Sequence, residues 1–317
     1  MAKGLTLAIA LLLAVVCLLN SADTPFRVKA ESLGWQVDVY TQKQPNSGAG
    51  LGQPSDAFGP DDLVLLYANV TYNGASVQHV LVSFSVNGPP NPVDNITLSL
   101  VASSNDTGTA QTSFRIISPS ENVETVAFGT WNVTASIENA SDYLTFRVGW
   151  IVEITALDLN GGIDPPQGSP LGVQLSLVNI AMVSQYVTLS ILIYDSLNNL
   201  VGNVHIENMT VYAGDTNFSA VVTIPMSAVP GIGNVNVSVY TLNGTPFSPG
   251  KSAPFEISLF GDLDRNGRVN MADIAIVSAA FGSYPEHPRW NAAADVNKDH
   301  VVDLRDIAMV AQRFGKT

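Results

Sequence analysis

Cysteine, histidine and basic side chains are all scarce in this chain of 317 residues. Its one cysteine, Cys17, excludes a disulfide framework and a cysteine-based zinc site. The 14 Lys and Arg face 27 Asp and Glu, a formal charge of −13. That balance excludes a nucleic-acid partner, because phosphate backbones are bound by basic surfaces. Only four His are present, and no Gly-x-Ser-x-Gly, His-Glu-x-x-His or phosphate-cradling Gly-rich loop occurs. His79 and His205 lie in strand-like segments with no nucleophile motif, so a triad has no support. A pair of opposed carboxylates would leave no local signature. The expectation is nevertheless a protein that is not an enzyme. Hydrophobic residues make up 46% of the chain, and its length predicts two or three domains at about 100–200 residues each.

The first 30 residues read as a signal peptide. Lys3 supplies a positive start, and Leu5–Leu19 is an apolar run of 15 residues. As a helix it would span roughly 22 Å, short of a bilayer core of about 30 Å. Cleavage after Ala22 or after Ala30 fits the small residues there. An uncleaved anchor and a pilin-type cut after Gly4 are the other readings. Once the signal is removed no spanning segment and no cysteine remain, and the expected location is secreted or cell-surface.

From Ser32 to about Leu259 the apolar pattern has period two. Val64, Leu66, Ala68 and Val70 alternate with Leu65, Tyr67, Asn69 and Thr71; Val80–Val86 and Trp131–Ile137 do the same. Such alternation marks strands with one buried face. Turn signals recur at Tyr72-Asn73-Gly74, Asn87-Gly88-Pro89-Pro90 and Asn105–Gly108. The segment Leu159–Pro170 divides the pattern into a β-sandwich at 31–157 and a second at 158–259. Both blocks resemble the immunoglobulin-like modules of surface and adhesion proteins in size and strand pattern. Glu31–Phe260 carries 18 acids and 4 bases, a net of −14, consistent with solubility and self-repulsion. All nine Asn-x-Ser/Thr sequons fall in these blocks, at Asn69, Asn95, Asn105, Asn132, Asn139, Asn208, Asn217, Asn236 and Asn243. They are candidate glycosylation sites.

Residues 260–317 carry a repeat at an offset of 33 residues. Asp262, Asp264, Asn266, Asn270 and Asp273 match Asp295, Asn297, Asp299, Asp303 and Asp306, at positions 1, 3, 5, 9 and 12 of two loops. This is calcium chemistry, because Ca²⁺ takes six to eight oxygen ligands at about 2.3–2.6 Å and a 12-residue loop can wrap it. Arg268 and Val301, at position 7, would give backbone carbonyls. Val269 and Val302, at position 8, would fill a small core between the loops. Each loop leads into a helix, with Ile274, Val277 and Phe281 on one face and Ile307, Val310 and Phe314 on its equivalent. Gly282 and Gly315 would end the helices. Trp290 and Tyr284, from the linker, are expected to cap the core.

These loops resemble the dockerin family, a duplicated EF-hand-like module of secreted and surface proteins. The resemblance covers about Gly261–Gly315. It implies two calcium ions and a docking partner, either cohesin-like or another copy of the chain. Two departures stand out. Position 6 is Gly267 in the first loop but His300 in the second. It needs a positive φ, which His adopts at a cost of about 1 kcal/mol. Positions 10 and 11, which help choose the partner in the family, are Met271-Ala272 and Leu304-Arg305, so the two faces are not equivalent.

The fold class expected is mainly β, with two immunoglobulin-like sandwiches followed by a small helical dockerin-like module. The function expected is non-catalytic docking with spacer or adhesion domains. Two rivals are a carbohydrate-binding accessory protein that holds polysaccharide through Trp35, Trp131 or Trp150, and a self-assembling surface-layer or filament subunit. The strand phase of Trp131 points it inward.

Overall fold

The structure, a computed structural model, describes residues 34–90, 95–118, 123–160 and 165–317. The signal-peptide segment lies outside these residues. Among the described residues no helix is long and apolar enough to cross a membrane.

The first sandwich is built from two antiparallel sheets. In one, β2 (Leu63–Tyr72) pairs with β1 (Trp35–Thr41), β3 (Ala75–Ser76) and β6 (Thr109–Arg115). The other runs in the order β5 (Thr97–Ser103), β4 (Leu81–Asn87), β7 (Gly129–Ile137), β8 (Ala140–Val148). The alternation decides which residues meet. Val64, Leu66, Ala68 and Val70 are fully buried, facing Val82, Phe84, Val86, Val133 and Ala135 in one core. Each large aliphatic side chain so buried contributes about 1.5–3 kcal/mol. Trp131 is buried as its phase predicts; its Nε1–H donates to the Ala127 carbonyl at 2.8 Å, from the short helix α1 (Val123–Ala127). Asn73 and Gly74 have φ of 49° and 81°, which gives the β2–β3 hairpin its primed turn. Gly108 is required where β5 crosses to β6: its φ is +80°, and a Cβ would sit 2.9 Å from that of Ser76.

One lateral seam between the sheets is closed by residues 44–58. Ser55 and Phe58 donate to the carbonyls of Thr145 and Arg147 at 2.7 and 3.0 Å. The buried carboxylate of Asp142 accepts from Val39 N–H (2.9 Å) and Gly52 N–H (3.0 Å), tying β1 and β8 to the loop.

The second sandwich opposes a three-stranded sheet to a four-stranded one. The first has the order β13 (Gly214–Thr223), β10 (Pro170–Asn179), β9 (Val152–Asn160). The second has β12 (Leu200–Val211), β11 (Gln185–Tyr194), β14 (Gly231–Thr241), β15 (Lys251–Ile257). Here the expected boundary needs correction. β9 pairs with β10 from Val152↔Asn179 to Gly172↔Asn160, and Val152 and Ile154 lie in the second core. The division therefore falls at 149–151, and Leu159–Pro170 contains the β9–β10 connection. A Gly- and Pro-rich stretch signals a turn equally well within a domain and between domains, and alternation does not say which core a strand faces.

The blocks are linked by specific hydrogen bonds. Met182 N–H in the β10–β11 connection donates to Asp56 Oδ1 of the first sandwich at 2.7 Å. At the far end Gln167 is buried; its Nε2 donates to the Ala228 carbonyl (2.6 Å), and its Oε1 accepts from Phe260 N–H (3.2 Å). Phe260 opens the C-terminal module, so a buried amide holds that module to the second sandwich.

Asp195 organises the same end. Its carboxylate accepts from the N–H groups of Leu197, Asn199 and Val229 at 2.9–3.0 Å. Burial pushes its pKa upward, but the hydrogen bonds from Val229 and Asn199 outweigh that and leave it below the ordinary value. The stability it contributes is therefore present above the unfolded carboxyl pKa of about 3.9 and is lost as pH falls through the depressed folded value. Asp195→Ala is expected to lose about 1–3 kcal/mol at neutral pH by leaving N–H donors unpaired. Thermal melts from pH 2 to 7 test this; the penalty should shrink toward the acid end.

Candidate functional site

The two C-terminal loops have nearly the same hydrogen-bond frame. In the first, Asp262 accepts from the N–H groups of Asn266 (3.1 Å) and Gly267 (2.7 Å). In the second, Asp295 accepts from Asp299 (3.1 Å) and His300 (2.9 Å). Asp273 accepts from the N–H groups of Leu263 (2.6 Å), Asp264 (3.2 Å) and Asn270 (2.8 Å). Asp306 accepts likewise from Val296 (2.8 Å), Asn297 (3.1 Å) and Asp303 (2.8 Å). Both closing acids are fully buried. Arg268 and Val301 have exposed side chains and donate N–H to Asn266 Oδ1 and Asp299 Oδ1, both at 3.0 Å.

Each closing acid also caps a helix. Asn270 precedes α2 (Met271–Ala280) and Asp303 precedes α3 (Leu304–Ala311). Their side chains accept from Ala272 and Arg305 N–H at 2.7 Å, completing capping boxes with Asp273 and Asp306. Such a box stabilises a helix start, and a carboxylate there is favoured by the helix dipole. The Asn-x-x-Asp and Asp-x-x-Asp spacings carry this capping signal in addition to the ligand pattern.

Gly267 has φ of 82° and His300 φ of 69°, so the second loop does hold a non-glycine residue in the left-handed region at position 6. Arg265 (57°) and Lys298 (61°), at position 4, share that conformation, for which the sequence holds no signal. The valines behave as expected: Val269 and Val302 are fully buried with Val277, Ala280, Ala294 and Val310. Their backbones pair reciprocally. Val269 exchanges hydrogen bonds with Gly315 and Lys316 after α3 (2.8 and 3.0 Å), and Val302 does so with Gly282 and Ser283 after α2 (2.8 and 3.0 Å). Gly282 and Gly315 have φ of 77° and 84° and end the helical segments.

Two expectations about this core fail. Phe281 and Phe314 are 45% and 54% exposed, because the backbone leaves the α-helix before them and turns them outward. Trp290 packs on the core, but Tyr284 is 55% exposed against His287. At the proposed partner positions, Met271 and Leu304 are 63% and 69% exposed. Ala272 and Arg305 are exposed beside them. Eight of the nine sequon asparagines are exposed; Asn236 is half-buried in the central strand β14.

The donor set fits a hard divalent cation. Carboxylate oxygens of Asp262, Asp264 and Asp273 lie within 4.8 Å of one another. The second loop presents an amide, Asn297, where the first has Asp264. Burial pushes the Asp262 carboxyl above its ordinary pKa; Gly267 and Asn266 N–H groups oppose this, and Asp264 and Asp273 reinforce it. Without a cation this loop therefore loses stability as pH rises through the carboxylate range, and bound calcium would offset that loss. Replacing His300 with Gly should relieve backbone strain and tighten calcium binding severalfold in a calorimetric titration. Unchanged affinity would show that the strain is not felt at the site. Ser283 is buried with an Oγ that makes no hydrogen bond, so Ser283→Ala should raise stability by up to about 1 kcal/mol in denaturant melts.

No curated protein matches this chain. Among solved structures, trypsin-activated alpha-2-macroglobulin from Escherichia coli is 15% identical with a TM-score of 0.28, over 72% of this chain and 16% of its own. A tetra-tandem repeat from the extending region of a large adhesion protein is 14% identical with a TM-score of 0.29, over 71% and 49%. Red sea bream transglutaminase is 12% identical with a TM-score of 0.28, over 72% and 32%. This chain thus spans under a sixth to about half of those proteins, and likenesses this distant bear on neither activity nor partner. Residues 260–315 match the model of the dockerin type I domain. Dockerin domains bind calcium and dock to protein partners, and residues 260–315 form such a domain behind a mainly β body.

Proposed function

We propose that this is a secreted or cell-surface, non-catalytic protein whose C-terminal module binds two calcium ions and docks to a cohesin-type partner. The observation that carries the reading is the duplicated frame, in which Asp262 with Asp273 and Asp295 with Asp306 organise two loops bond for bond. Seven of the loop side chains proposed as ligands are carboxylates, so without ions the module repels itself around a very small core. Calcium then acts as a structural cross-link that sets the helix starts. Those starts present Met271 and Leu304 to solvent at equivalent points of the repeat, and Phe281 and Phe314, beyond the helix ends, are exposed as well. Exposed apolar anchors of this kind are what a docking interface buries. Because Ala272 and Arg305 differ, one orientation on the partner is favoured over the other. The two sandwiches serve as acidic spacer or adhesion domains, with glycans carried at the sequons.

Calcium titrated into chelator-stripped full-length chain is expected to give two ions per chain with a gain of helix by circular dichroism. Asp273→Asn and Asp306→Asn should each remove one ion. A wild-type stoichiometry of one or zero would overturn the two-ion reading. An immobilised type I cohesin module should capture the loaded chain and release it to chelator. The double variant Met271→Asp, Leu304→Asp is expected to bind it at least about tenfold more weakly, a loss of about 1.4 kcal/mol. A calcium-loaded chain that ignores the cohesin module would refute the partner assignment and leave the ion sites intact.

A further inference from the structure

A cleft of about 550 Å³ lies between the second sandwich and the C-terminal module, within the range of about 300–1,000 Å³ typical of ligand sites. Both of its walls are fixed by the junction. Gln167 holds Phe260 through its buried amide and donates its N–H to the Ser258 carbonyl at 3.1 Å. On the sandwich side, Gly168 N–H donates to the Ile224 carbonyl at 2.7 Å, and Ile224 N–H to that of Ser169 at 2.9 Å. Met226 lies across Gly168, where a Cβ would sit 2.7 Å from the Met226 sulfur. On the module side Gly261 packs on the end of α3; a Cβ there would be 3.6 Å from Val310 Cα and 3.7 Å from Arg313 Cβ. This brings the Arg313 guanidinium to 6.0 Å from the centre of the Phe260 ring.

The cleft reverses the charge of the surface around it. Lys298 and Arg313 line it, and no Asp or Glu does. Neither cation is ion-paired among the described residues. Residues 261–317 hold seven of the chain's 14 Lys and Arg against eight acids, so two bound calcium ions would make the module net positive beside the acidic sandwiches. A smaller adjoining cleft shares Lys298 and contains Asp262 and Asp295. Those carboxylates already accept the N–H groups of Gly267 and His300.

The lining selects among anions. Met226 and Met309 supply flexible apolar side chains from opposite walls, and Ser169 and Gln312 give and take hydrogen bonds. A simple inorganic anion would pair with the cations and leave both methionines wet. A wholly apolar ligand would strip water from Lys298 and Arg313 without an opposing charge. An acidic sugar finds no free aromatic face, because Arg313 stands over the Phe260 ring. A peptide in which acidic residues flank an apolar one satisfies the whole set. Its carboxylates pair with Lys298 and Arg313, its apolar side chain packs on the methionines, and its backbone bonds to Ser169 and Gln312.

We infer that this cleft receives an acidic peptide segment of a partner protein, a contact separate from Met271 and Leu304 that exists only where the module meets the second sandwich. The probe is a fluorescein-labelled Glu-Leu-Glu-Leu-Glu peptide, titrated with calcium-loaded full-length chain and read by anisotropy. Saturable binding is expected, weakening severalfold between about 50 and 200 mM salt because the charges are solvent-accessible. The Gln-Leu-Gln-Leu-Gln peptide should bind about tenfold more weakly, a change of about 1.4 kcal/mol. Lys298→Glu, and Met226→Asp on the opposite wall, should each cost a similar factor; both side chains are exposed, so the fold is kept. Arg289→Glu, an exposed base outside the cleft, should leave affinity unchanged. The inference uses the calcium-loaded module of the proposed function, so calcium stoichiometry is measured on the same samples. Two ions without peptide binding overturn the inference alone, and peptide binding by a chain that holds no calcium overturns that reading alone. Equal affinity for the Gln peptide, binding that survives both cleft substitutions, or preference for oligogalacturonate over the peptide also overturns the inference.

Discussion

The reciprocal pairing of Val269 and Val302 makes the C-terminal module a single object. Each valine lies in one calcium-type loop and bonds to the backbone that follows the helix of the other repeat. Each loop is thus closed against the other repeat. The same pairing places both valines in the shared core and draws Gly282 and Gly315 into left-handed turns at equivalent points. Two buried carboxylates, Asp273 and Asp306, depend on this closure, because each accepts hydrogen bonds from its own loop and from its own helix start. Burying an ionised group is tolerable only when it is fully hydrogen-bonded or opposed by a cation. The hydrogen bonds are present, and calcium would supply the opposing charge.

The module is held to its neighbour by polar contacts of the same kind. Gln167 reaches from the second sandwich to Phe260, at the entrance of the first loop, and Asp56 reaches from the first sandwich to Met182. Three separate hydrophobic cores are thus joined in series through buried or partly buried hydrogen bonds.

The high acidic charge acts differently in the two parts. Across the sandwiches most of it is spread over strand faces and loops, where solvent screens it, and buried Asp56, Asp142 and Asp195 are hydrogen-bonded to backbone N–H groups. In the loops it is concentrated, with three carboxylates of the first loop within 4.8 Å. The residue types are the same in both parts; spacing alone separates a solvated acid from a candidate ligand.

That spacing, the alternation of Val64 to Val70 and the Asn73-Gly74 turn are all legible in the amino-acid sequence, because each rests on contacts between residues near one another along the chain. So is the positive φ at His300, since a 12-residue loop imposes it whatever the residue. What the sequence did not determine involves residues far apart. The strand β9 belongs to the second core because it pairs with β10, and its alternation would have suited either sandwich. Phe281 and Phe314 continue the helical period yet face solvent, because the valine pairing pulls the chain out of the helix before them. Trp35 and Trp131 share the inward phase of their strands; Trp131 is fully enclosed in the core, while Trp35, at the start of the edge strand β1, is only half-buried against Tyr72.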